Sequence, residues 1–320
     1  MTLAANTYSL VADIGGTNTR VALAEGRTLL QASIRRYRNA EFPGLETVLR
    51  RYISEEGGVD CKGACVAAAG PVRDGVATMT NLDWTIDAPM LARATGAEKV
   101  AILNDLQAQG HALGFIAAEN LRPIVEGPVA PDHAAKLVIG VGTGFNAAPV
   151  HEAPGGRYVA ASECGHVNMP VRTDADLRLA KFVETAHGFP GVEDVLSGRG
   201  LERLYSWVAS EAGQPSEKHA ADIMAAVNAD PLATETARQF IRLLGSVAGN
   251  LALTHLPFGG VFLIGGVTRA FTEHFGPMNF VDAYRDKGRF AGFMQNFPVW
   301  VIEDDYAALT GCAAYLAGRA

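Results

Sequence analysis

The chain has 320 residues, of which 48% are hydrophobic and 19% charged, and its formal net charge is −7 at pH 7. These values are ordinary for a folded protein with a large core, and the length predicts two lobes because single cores usually stop growing below this size. The acidic balance and the absence of a long Lys/Arg run argue against a nucleic-acid partner.

Cysteine usage and hydropathy indicate the compartment. The four cysteines form no Cys-x-x-Cys pair, so neither a zinc site nor a disulfide framework is expected. The sequence has no run of about 18 apolar residues, so no membrane partner is expected. Residues 1–8 lack the charged and apolar regions of a signal peptide. We therefore expect a cytoplasmic protein with reduced thiols.

Strands and helices alternate in the first half of the sequence. Apolar residues at 9–13 and 21–24 flank a glycine-containing turn, which predicts a β-hairpin. A helix with apolar residues three and four apart comes next, followed by two short apolar strands and a second helix. The predicted segments are the helix 45–54, the strands 63–69 and 99–103, and the helix 105–113. Such alternation is typical of an α/β fold.

The second half begins with another glycine-containing hairpin, predicted at 136–150. When the two hairpins are aligned, Gly142 falls on Gly15, so the chain is either internally duplicated or carries two similar turns by chance. The remainder is more helical and contains two further strands. The predicted helices are 177–186, 200–211, 220–229, 233–256 and 307–316, and the predicted strands are 260–264 and 299–302.

The turn of the first hairpin has the composition of a phosphate site. Adjacent glycines expose backbone N–H groups, and the hydroxyls of Thr17 and Thr19 add donors, which suits phosphate oxygens. Asp13, at the end of the strand, is placed to hold Mg²⁺ directly or through water. The alternative is a turn that binds nothing, and the glycine spacings of the P-loop and dinucleotide motifs are absent. The candidate cofactor-binding residues here are Gly15, Gly16, Thr17 and Asn18.

Two later glycine groups are further candidates for nucleotide binding. Gly142, Thr143 and Gly144 follow an apolar strand as the first turn does, and a triphosphate held from two lobes needs two such loops. Gly265 and Gly266 end another apolar strand. There they either let the backbone lie against an adenine or ribose, or only allow close helix packing.

Asp105 follows Asn104 at a predicted strand-to-helix junction. An aspartate at such a junction is often only a helix N-cap. In the functional interpretation its carboxylate lies at the carboxyl end of a strand, where α/β folds place ligands, and accepts a proton from a substrate alcohol. Asn104 would then hydrogen-bond sugar hydroxyls as both donor and acceptor.

Three polar residues in the second half are candidate ligands. Glu163 and His166 lie three residues apart in a glycine-containing turn. They are either two of three metal ligands or hydrogen-bonding partners of a polyol. Glu193 precedes a predicted helix, and the alternative for it is a solvated surface position.

Taken in order, these segments resemble the bacterial glucokinase family, within the actin/hexokinase-like sugar kinases. Residues 13–20 are similar to that family's first phosphate motif, and residues 104–105 to its catalytic pair. Residues 163–166 and 193–198 are similar to its sugar-binding motifs, and residues 259–266 to its adenosine motif.

The resemblance implies an α/β, two-lobed actin-like ATPase (ribonuclease H-like) fold with the active site in the cleft between the lobes. The small lobe would be residues 1–107 plus 306–320 and the large lobe residues 108–305, with the last helix packing back on the first lobe. It also implies a homodimer that uses ATP and Mg²⁺ to phosphorylate the 6-hydroxyl of D-glucose, giving glucose 6-phosphate in the first step of glycolysis. Asp105 would be the base, and the ring hydroxyls would be bound by Asn104, Glu163, His166 and Glu193.

Two residues depart from the family's pattern. Asn146 stands where the second phosphate loop, Gly-Thr-Gly-x-Gly, has its last glycine, and a side chain there would crowd a phosphate or hydrogen-bond to it. Cys164 replaces the first of two glycines after the glutamate of the sugar motif, which would shift the Glu163 carboxylate and change which epimer fits. The Cys-rich zinc motif of the related repressor/kinase family is absent.

Alternative functions stay open at this point. The chain could phosphorylate another hexose, such as mannose, fructose or an amino sugar, or use polyphosphate or ADP as donor. It could also be a non-catalytic, actin-class nucleotide-binding sugar sensor. A DNA-binding regulator of the same fold is disfavoured, because the phosphate turn begins by Asp13 and leaves no room before it for a helix-turn-helix.

Overall fold

The computed structural model describes residues 6–79 and 82–319. The strands in these ranges are β1 (Tyr8–Ile14), β2 (Asn18–Glu25), β3 (Thr28–Leu29), β4 (Arg35–Arg38), β5 (Cys61–Ala68), β6 (Val72–Arg73), β7 (Val76–Thr78), β8 (Thr85–Asp87), β9 (Lys99–Asn104), β10 (Leu121–Val125), β11 (Lys136–Val141), β12 (Phe145–Ala153), β13 (Gly156–Val159), β14 (Val261–Ile264) and β15 (Val299–Ile302). The α-helices are α1 (Leu45–Glu55), α2 (Ala88–Thr95), α3 (Asp105–Ala112), α4 (Asp174–His187), α5 (Gly198–Glu211), α6 (Ala220–Ala225), α7 (Pro231–His255), α8 (Gly266–Phe271), α9 (Phe280–Arg285) and α10 (Ala307–Ala317). Short 3-10 helices lie at Gln31–Ser33, Asn39–Glu41, Ala118–Asn120, Cys164–His166, Thr272–His274, Gly288–Phe290 and Phe293–Asn296.

The predicted elements are present, with differences mainly at helix ends. Helices α4 and α7 begin earlier than predicted because the side chains of Thr173 and Asp230 cap them. The helix predicted at 220–229 ends already at Ala225, in α6. Helix α2 was not predicted, and it begins after the N-cap residue Asp87.

The chain divides into two compact units. The first contains the described residues up to Ala118, the segment Ala153–Ala161, and the described residues from Asp304 onward. The second contains Glu119–Glu152 and Ser162–Glu303. The predicted lobe boundaries stay a prediction, because compactness alone does not define a functional lobe.

The main sheet of the first unit places the first glycine turn beside the end of β9. Its order is β3-β2-β1-β5-β9, with β4 also paired to β2. Strands β1 and β2 are antiparallel, whereas β1, β5 and β9 are parallel. Ile14 pairs with Ala68, and Ala68 pairs with Asn104, so the three parallel strands end at the same edge.

Side chains of this sheet alternate between two buried layers, as strand geometry requires. Leu10 and Ala12 belong to a cluster with residues of α1 and α2. Val11 belongs to a second cluster with residues of α3 and α10. Helices therefore cover both faces of the parallel strands, which is the usual environment of parallel sheets. A small antiparallel sheet, β6-β7-β8, completes the sheets of this unit within the described residues.

Helices α3 and α10 approach each other closely because of one glycine. A Cβ at Gly311 would lie 1.6 Å from the carbonyl oxygen of Ala108, so no other residue permits this distance. The last helix thus packs on the first unit, as the resemblance implied, and supports the helix that begins at Asp105.

The main sheet of the second unit repeats the arrangement of the first. Its strands include β10-β15-β14-β11-β12, with β11 and β12 antiparallel and with β11, β14 and β15 parallel. The hairpin β11–β12 therefore corresponds to β1–β2, and β14 and β15 correspond to β5 and β9. This shared topology supports internal duplication as the explanation of the two similar turns.

Helices α4, α5 and α7 form the core of the second unit with β11, β14 and β15. The longest of them, α7, has 25 residues, and its buried side chains face this core. Among the helices of the described ranges, none combines the length and apolar character that crossing a membrane requires.

Replacing Gly311 with alanine should destabilise the fold, because the added methyl group has no room against the Ala108 carbonyl. We expect the free energy of unfolding to fall by roughly 1–3 kcal/mol, the usual cost of overpacking a core. Urea unfolding followed by circular dichroism measures the change. Gly276→Ala is the matched control, since no described atom beyond its chain neighbours lies within 4 Å of a Cβ there. An equal loss in both variants would contradict the packing argument.

Candidate active site

The turn between β1 and β2 is stabilised by hydrogen bonds from the buried residue Asn39. The Asn39 side chain is 2% exposed, and its Nδ2 donates to the Gly15 carbonyl oxygen at 2.8 Å. The Asn39 backbone N–H donates to the Thr17 carbonyl oxygen at 2.9 Å. Gly16 and Thr17 remain exposed, so the outer side of the turn is open to a ligand.

A hydrogen bond to Asn39 also contradicts one expectation about this turn. The Thr19 hydroxyl donates to Asn39 Oδ1 at 2.8 Å, and Thr19 is fully buried. Its predicted role as a donor to phosphate is therefore wrong, because the hydroxyl has an internal partner. Sequence reasoning missed Asn39 itself, since a single asparagine in a short 3-10 helix carries no recognisable pattern.

Asp13 is the second-last residue of β1, and its carboxylate is largely buried. Its Oδ2 lies 3.3 Å from Nη1 of Arg20 across the β1–β2 pair. Burial raises the pKa of Asp13 above its usual value, and the Arg20 guanidinium opposes that rise without cancelling it. The negative charge of Asp13 is thus only partly compensated within the protein.

Asn104, and not Asp105, is the N-cap of α3. Asn104 Oδ1 accepts a hydrogen bond from the Leu106 N–H at 3.0 Å, and Gln107 Oε1 accepts one from the Asn104 N–H at 3.2 Å. This capping box satisfies the start of the helix. Asn104 Nδ2 also donates to the Gly70 carbonyl oxygen at 3.1 Å, so both polar ends of the side chain are anchored.

Asp105 is consequently not required as a cap, and its carboxylate is poorly hydrated. Burial raises the pKa of Asp105 to about 6, and the nearby negative charge of Asp13 adds to the rise. Hydrogen bonds from Leu106 and Asn104 act in the opposite direction. A carboxylate with a pKa near 6 can both be ionised at neutral pH and accept a proton.

The second glycine turn is connected to Glu193. Glu193 Oε2 accepts a hydrogen bond from the Phe145 N–H at 2.8 Å, and it would lie 2.6 Å from a Cβ at Gly144. The Gly198 N–H donates to the Gly142 carbonyl oxygen at 2.8 Å. Glu193 is therefore packed against the turn, in contrast to the solvated surface position considered above.

Glu163 and His166 are exposed residues of a turn that rests on the same strand. A Cβ at Gly165 would lie 2.1 Å from the Phe145 carbonyl oxygen, so the turn backs directly onto β12. The Glu193 N–H donates to the Gly165 carbonyl oxygen at 2.8 Å, which joins the two predicted sugar-binding motifs. In residues 6–79 and 82–319, no three His, Cys, Asp or Glu side chains gather as a metal site would require.

The two departures from the family's pattern contact each other. The Asn146 side chain bonds to residues Ser162, Glu163 and Cys164, and so it is directed at the sugar motif. The expectation that it crowds or hydrogen-bonds a phosphate is corrected accordingly.

The two glycines after β14, Gly265 and Gly266, differ in how closely other atoms pack against them. Gly265 has a φ of +112°, and a Cβ there would lie 2.2 Å from the Val141 carbonyl oxygen, so close packing on β11 requires it. Gly266 has no described atom within 4 Å of a Cβ position beyond its chain neighbours. Of the pair, Gly266 is therefore the residue with open space for a nucleotide.

The structure sorts the predicted site residues into two sets, one in each unit. The first unit brings together at one sheet edge Asp13, Gly15, Gly16, Thr17, Asn18, Asn104 and Asp105. The second unit contains Gly142, Thr143, Gly144, Glu163, His166, Glu193, Gly265 and Gly266.

Comparisons with known proteins show what this chain is similar to. A family profile described as Glucokinase matches residues 10–319. A glucokinase of Saccharophagus degradans is 37% identical over 315 residues, which cover 96% of this chain and 97% of that protein. A glucokinase crystal structure from an Antarctic psychrotroph is 30% identical, with a TM-score of 0.87 over 97% of this chain and 98% of that chain.

A more distant structure supports the fold. Balamuthia mandrillaris glucokinase, crystallised in complex with glucose, is 24% identical and has a TM-score of 0.79 over 98% of this chain and 94% of that chain. These similarities confirm the predicted α/β fold of the actin-like ATPase class.

Replacing Asp105 with asparagine should stabilise the fold at neutral and higher pH. Because the pKa rises from 3.8 to about 6 on folding, ionised Asp105 opposes folding. This cost is absent below about pH 4, grows as the pH rises through about 6, and then amounts to roughly 1–3 kcal/mol. Urea unfolding of the wild type and Asp105→Asn at about pH 4 and about pH 8 measures it. A stability difference that does not change with pH would contradict the burial of this charge.

Proposed function

The chain belongs to the glucokinase family, and on this premise we propose the chemistry of its individual residues. The protein is a glucokinase: it transfers the γ-phosphate of ATP to the 6-hydroxyl of D-glucose and forms glucose 6-phosphate. The observation that carries the catalytic proposal is the raised pKa of the Asp105 carboxylate. Because Asn104 is the N-cap of α3, Asp105 is not needed in that role.

Asp105 acts in this proposal as the general base for the sugar. It accepts the proton of the 6-hydroxyl as the oxygen attacks the γ-phosphorus, and the bond to the leaving ADP oxygen breaks. Because phosphoryl transfer depends mainly on positioning and charge neutralisation, the base contributes only part of the acceleration, about 10²- to 10⁴-fold.

The phosphate-binding roles are proposed for the two glycine turns. Gly16 and Thr17 present the exposed side of the first turn, while Asn39 satisfies its inner carbonyl groups. Such a division leaves outward N–H and hydroxyl donors for phosphate oxygens. The remaining proposed contacts to the nucleotide are Gly15, Asn18, Gly142, Thr143, Gly144, Gly265 and Gly266.

The residues of the first unit fit Mg²⁺. Asp13 is an oxygen ligand of the kind that Mg²⁺ prefers, and its charge is incompletely offset by Arg20. The pKa values of Asp13 and Asp105 are both raised, so a cation near them relieves the cost of both negative charges. We propose that Asp13 holds the ion, through water or directly. When bound, the ion supplies charge neutralisation of the phosphate oxygens.

The ring hydroxyls of the sugar are proposed to bind Asn104, Glu163, His166 and Glu193. In both Glu163 and Glu193, Oε2 accepts a hydrogen bond from a described residue. Oε1 is therefore the acceptor that we propose for a sugar hydroxyl. A side chain held by one oxygen presents the other in a defined direction. Protein groups that pair with each hydroxyl discriminate against analogues that lack one.

Three further proposals follow from the family resemblance and the substrate. The protein is proposed to form a homodimer and to work in the cytoplasm, where ATP is available. The proposed functional lobes are residues 1–107 plus 306–320 and residues 108–305.

The central test is ATP-dependent phosphorylation across a panel of hexoses, with wild type beside Asp105→Asn. We expect turnover on glucose and a loss of kcat of about 10²- to 10⁴-fold in the variant, because only the base is removed. Glucose binding measured by calorimetry should change little. Asp87→Asn is the matched control: it makes the same substitution at the N-cap of α2, where asparagine caps equally well.

The other outcomes of this panel are equally informative. Turnover on a different hexose would keep the mechanism and change the substrate. Failure to turn over any hexose while ATP still binds would contradict the kinase function and favour a nucleotide-binding sensor.

The activity should depend on pH through Asp105. Since only the ionised carboxylate accepts the proton, kcat/KM for glucose should fall as the pH decreases through about 6, the raised pKa of Asp105. Rates across the range from about pH 5 to about pH 8 measure this limb. Asp74→Asn, at a side chain that is 92% exposed, is the control and should leave the limb in place. A limb near pH 4 would contradict the assignment of the base.

A further inference from the structure

We propose that Asn146 is a positioning residue for sugar recognition: it holds the turn that carries Glu163 and so sets the direction of the Glu163 carboxylate. This inference rests on the proposed function of Glu163 as a ligand of a ring hydroxyl. Asn146 departs from the family's glycine pattern, and positioning Glu163 is the function proposed for that departure.

The donor end of Asn146 reaches the segment that carries Glu163. Its Nδ2 donates to the Ser162 carbonyl oxygen, which belongs to the residue just before Glu163. The same nitrogen donates to Glu163 Oε2 at 3.1 Å. One amide therefore holds both the backbone and the carboxylate of the same sugar-binding motif.

The acceptor end completes the arrangement. Asn146 Oδ1 accepts from the Cys164 N–H at 3.2 Å and from the Ala147 N–H at 2.8 Å. The Cys164 Sγ lies 3.5 Å from the same oxygen. Reversing the amide would place its N–H groups against these donors and its oxygen against the carboxylate, so the neighbours determine its orientation.

Other contacts fix the turn elsewhere, which leaves Asn146 to control the glutamate. Gly165 lies against the Phe145 carbonyl, and its own carbonyl accepts from the Glu193 N–H. Both contacts lie on the far side of Cys164. Ser162 and Glu163, on the near side, take their side-chain support from β12 through Asn146 and the Ala147 carbonyl.

A glycine at position 146 would supply neither the side-chain donor nor the side-chain acceptor of this amide. With Asn146 present, Cys164 can replace a glycine of the sugar motif because its Sγ finds a partner in Asn146 Oδ1. The two departures, Asn146 and Cys164, therefore form one coupled change, and this change affects sugar recognition. A carboxylate direction fixed in this way selects among epimers, because each epimer presents its hydroxyls differently.

The test compares Asn146→Asp and Asn146→Gly with the wild type by steady-state kinetics. Aspartate has the shape of asparagine but no donors, and it places a negative charge beside Glu163, so KM for glucose should rise about 10-fold or more. Glycine removes the contacts without adding charge, and a rise of about 3- to 10-fold is expected. KM for ATP and kcat should stay within about twofold, since the amide does not act on the phosphates.

A matched control separates positioning from general damage. Asn296→Ala removes an asparagine whose Nδ2 donates to the Phe293 carbonyl oxygen at 2.8 Å, away from the predicted motifs. Its KM for glucose should equal that of the wild type. Thermal unfolding shows that each variant is folded, and Asn146→Gly carries the test if the aspartate variant does not fold.

The double variant Asn146→Gly/Cys164→Gly tests the coupling. If the two residues act together, its loss in kcat/KM for glucose is smaller than the product of the two single losses. The ratio of kcat/KM between glucose and its 2- and 4-epimers should also change in Asn146→Gly by about 3-fold or more.

The outcomes distinguish this inference from the proposed function. A wild type that does not phosphorylate glucose overturns the proposed function itself. An active wild type whose Asn146→Asp and Asn146→Gly variants keep the glucose KM and the epimer ratio overturns only the role of Asn146. A rise in KM for ATP equal to that for glucose also overturns it, because it would place the side chain at the phosphates.

Discussion

The parallel pairing of β1, β5 and β9 is the constraint on which the first unit depends. Because these strands end at one edge, the turn after Asp13 and the start of α3 at Asp105 are neighbours, although about ninety residues separate them in the chain. The second unit uses the same pairing, with β11, β14 and β15. There it brings the second glycine turn beside Gly265, where strand β14 ends.

This arrangement places two carboxylates in one poorly hydrated region. The pKa of each is raised mainly by burial, and the charge of Asp13 contributes to the rise at Asp105. Arg20 offsets the charge of Asp13 in part, whereas the opposing influences on the pKa of Asp105 come from hydrogen bonds. Such groups oppose folding and persist where function needs a reactive charge. Because Asn104 is the N-cap of α3, that role does not fall on Asp105, and the two neighbouring residues divide structure and chemistry between them.

Much of the fold and part of the site could be predicted because the signals are local. Alternating apolar runs define the strands, and the glycine turns and the Asn104-Asp105 junction lie where those strands end. Helices α4 and α7 start before the first residue of their apolar spacing, because the capping residues Thr173 and Asp230 set their starts. The functional interpretation came from the order of several motifs, since each motif alone had a structural alternative.

The internal partners of these turns could not be predicted, and the reason is physical. Asn39 bonds to residues twenty to twenty-four positions before it, and Asn146 bonds to a turn sixteen to eighteen residues after it. Only the folded chain brings such residues together. A turn that binds ligands must direct donors outward, and its inward backbone groups still need partners when buried. Asparagine suits this task because its one side chain both donates and accepts, whereas aspartate only accepts. The residues that shape a glycine turn are therefore to be sought among buried or bridging asparagines on the adjacent strand or loop, outside the motif that touches the ligand.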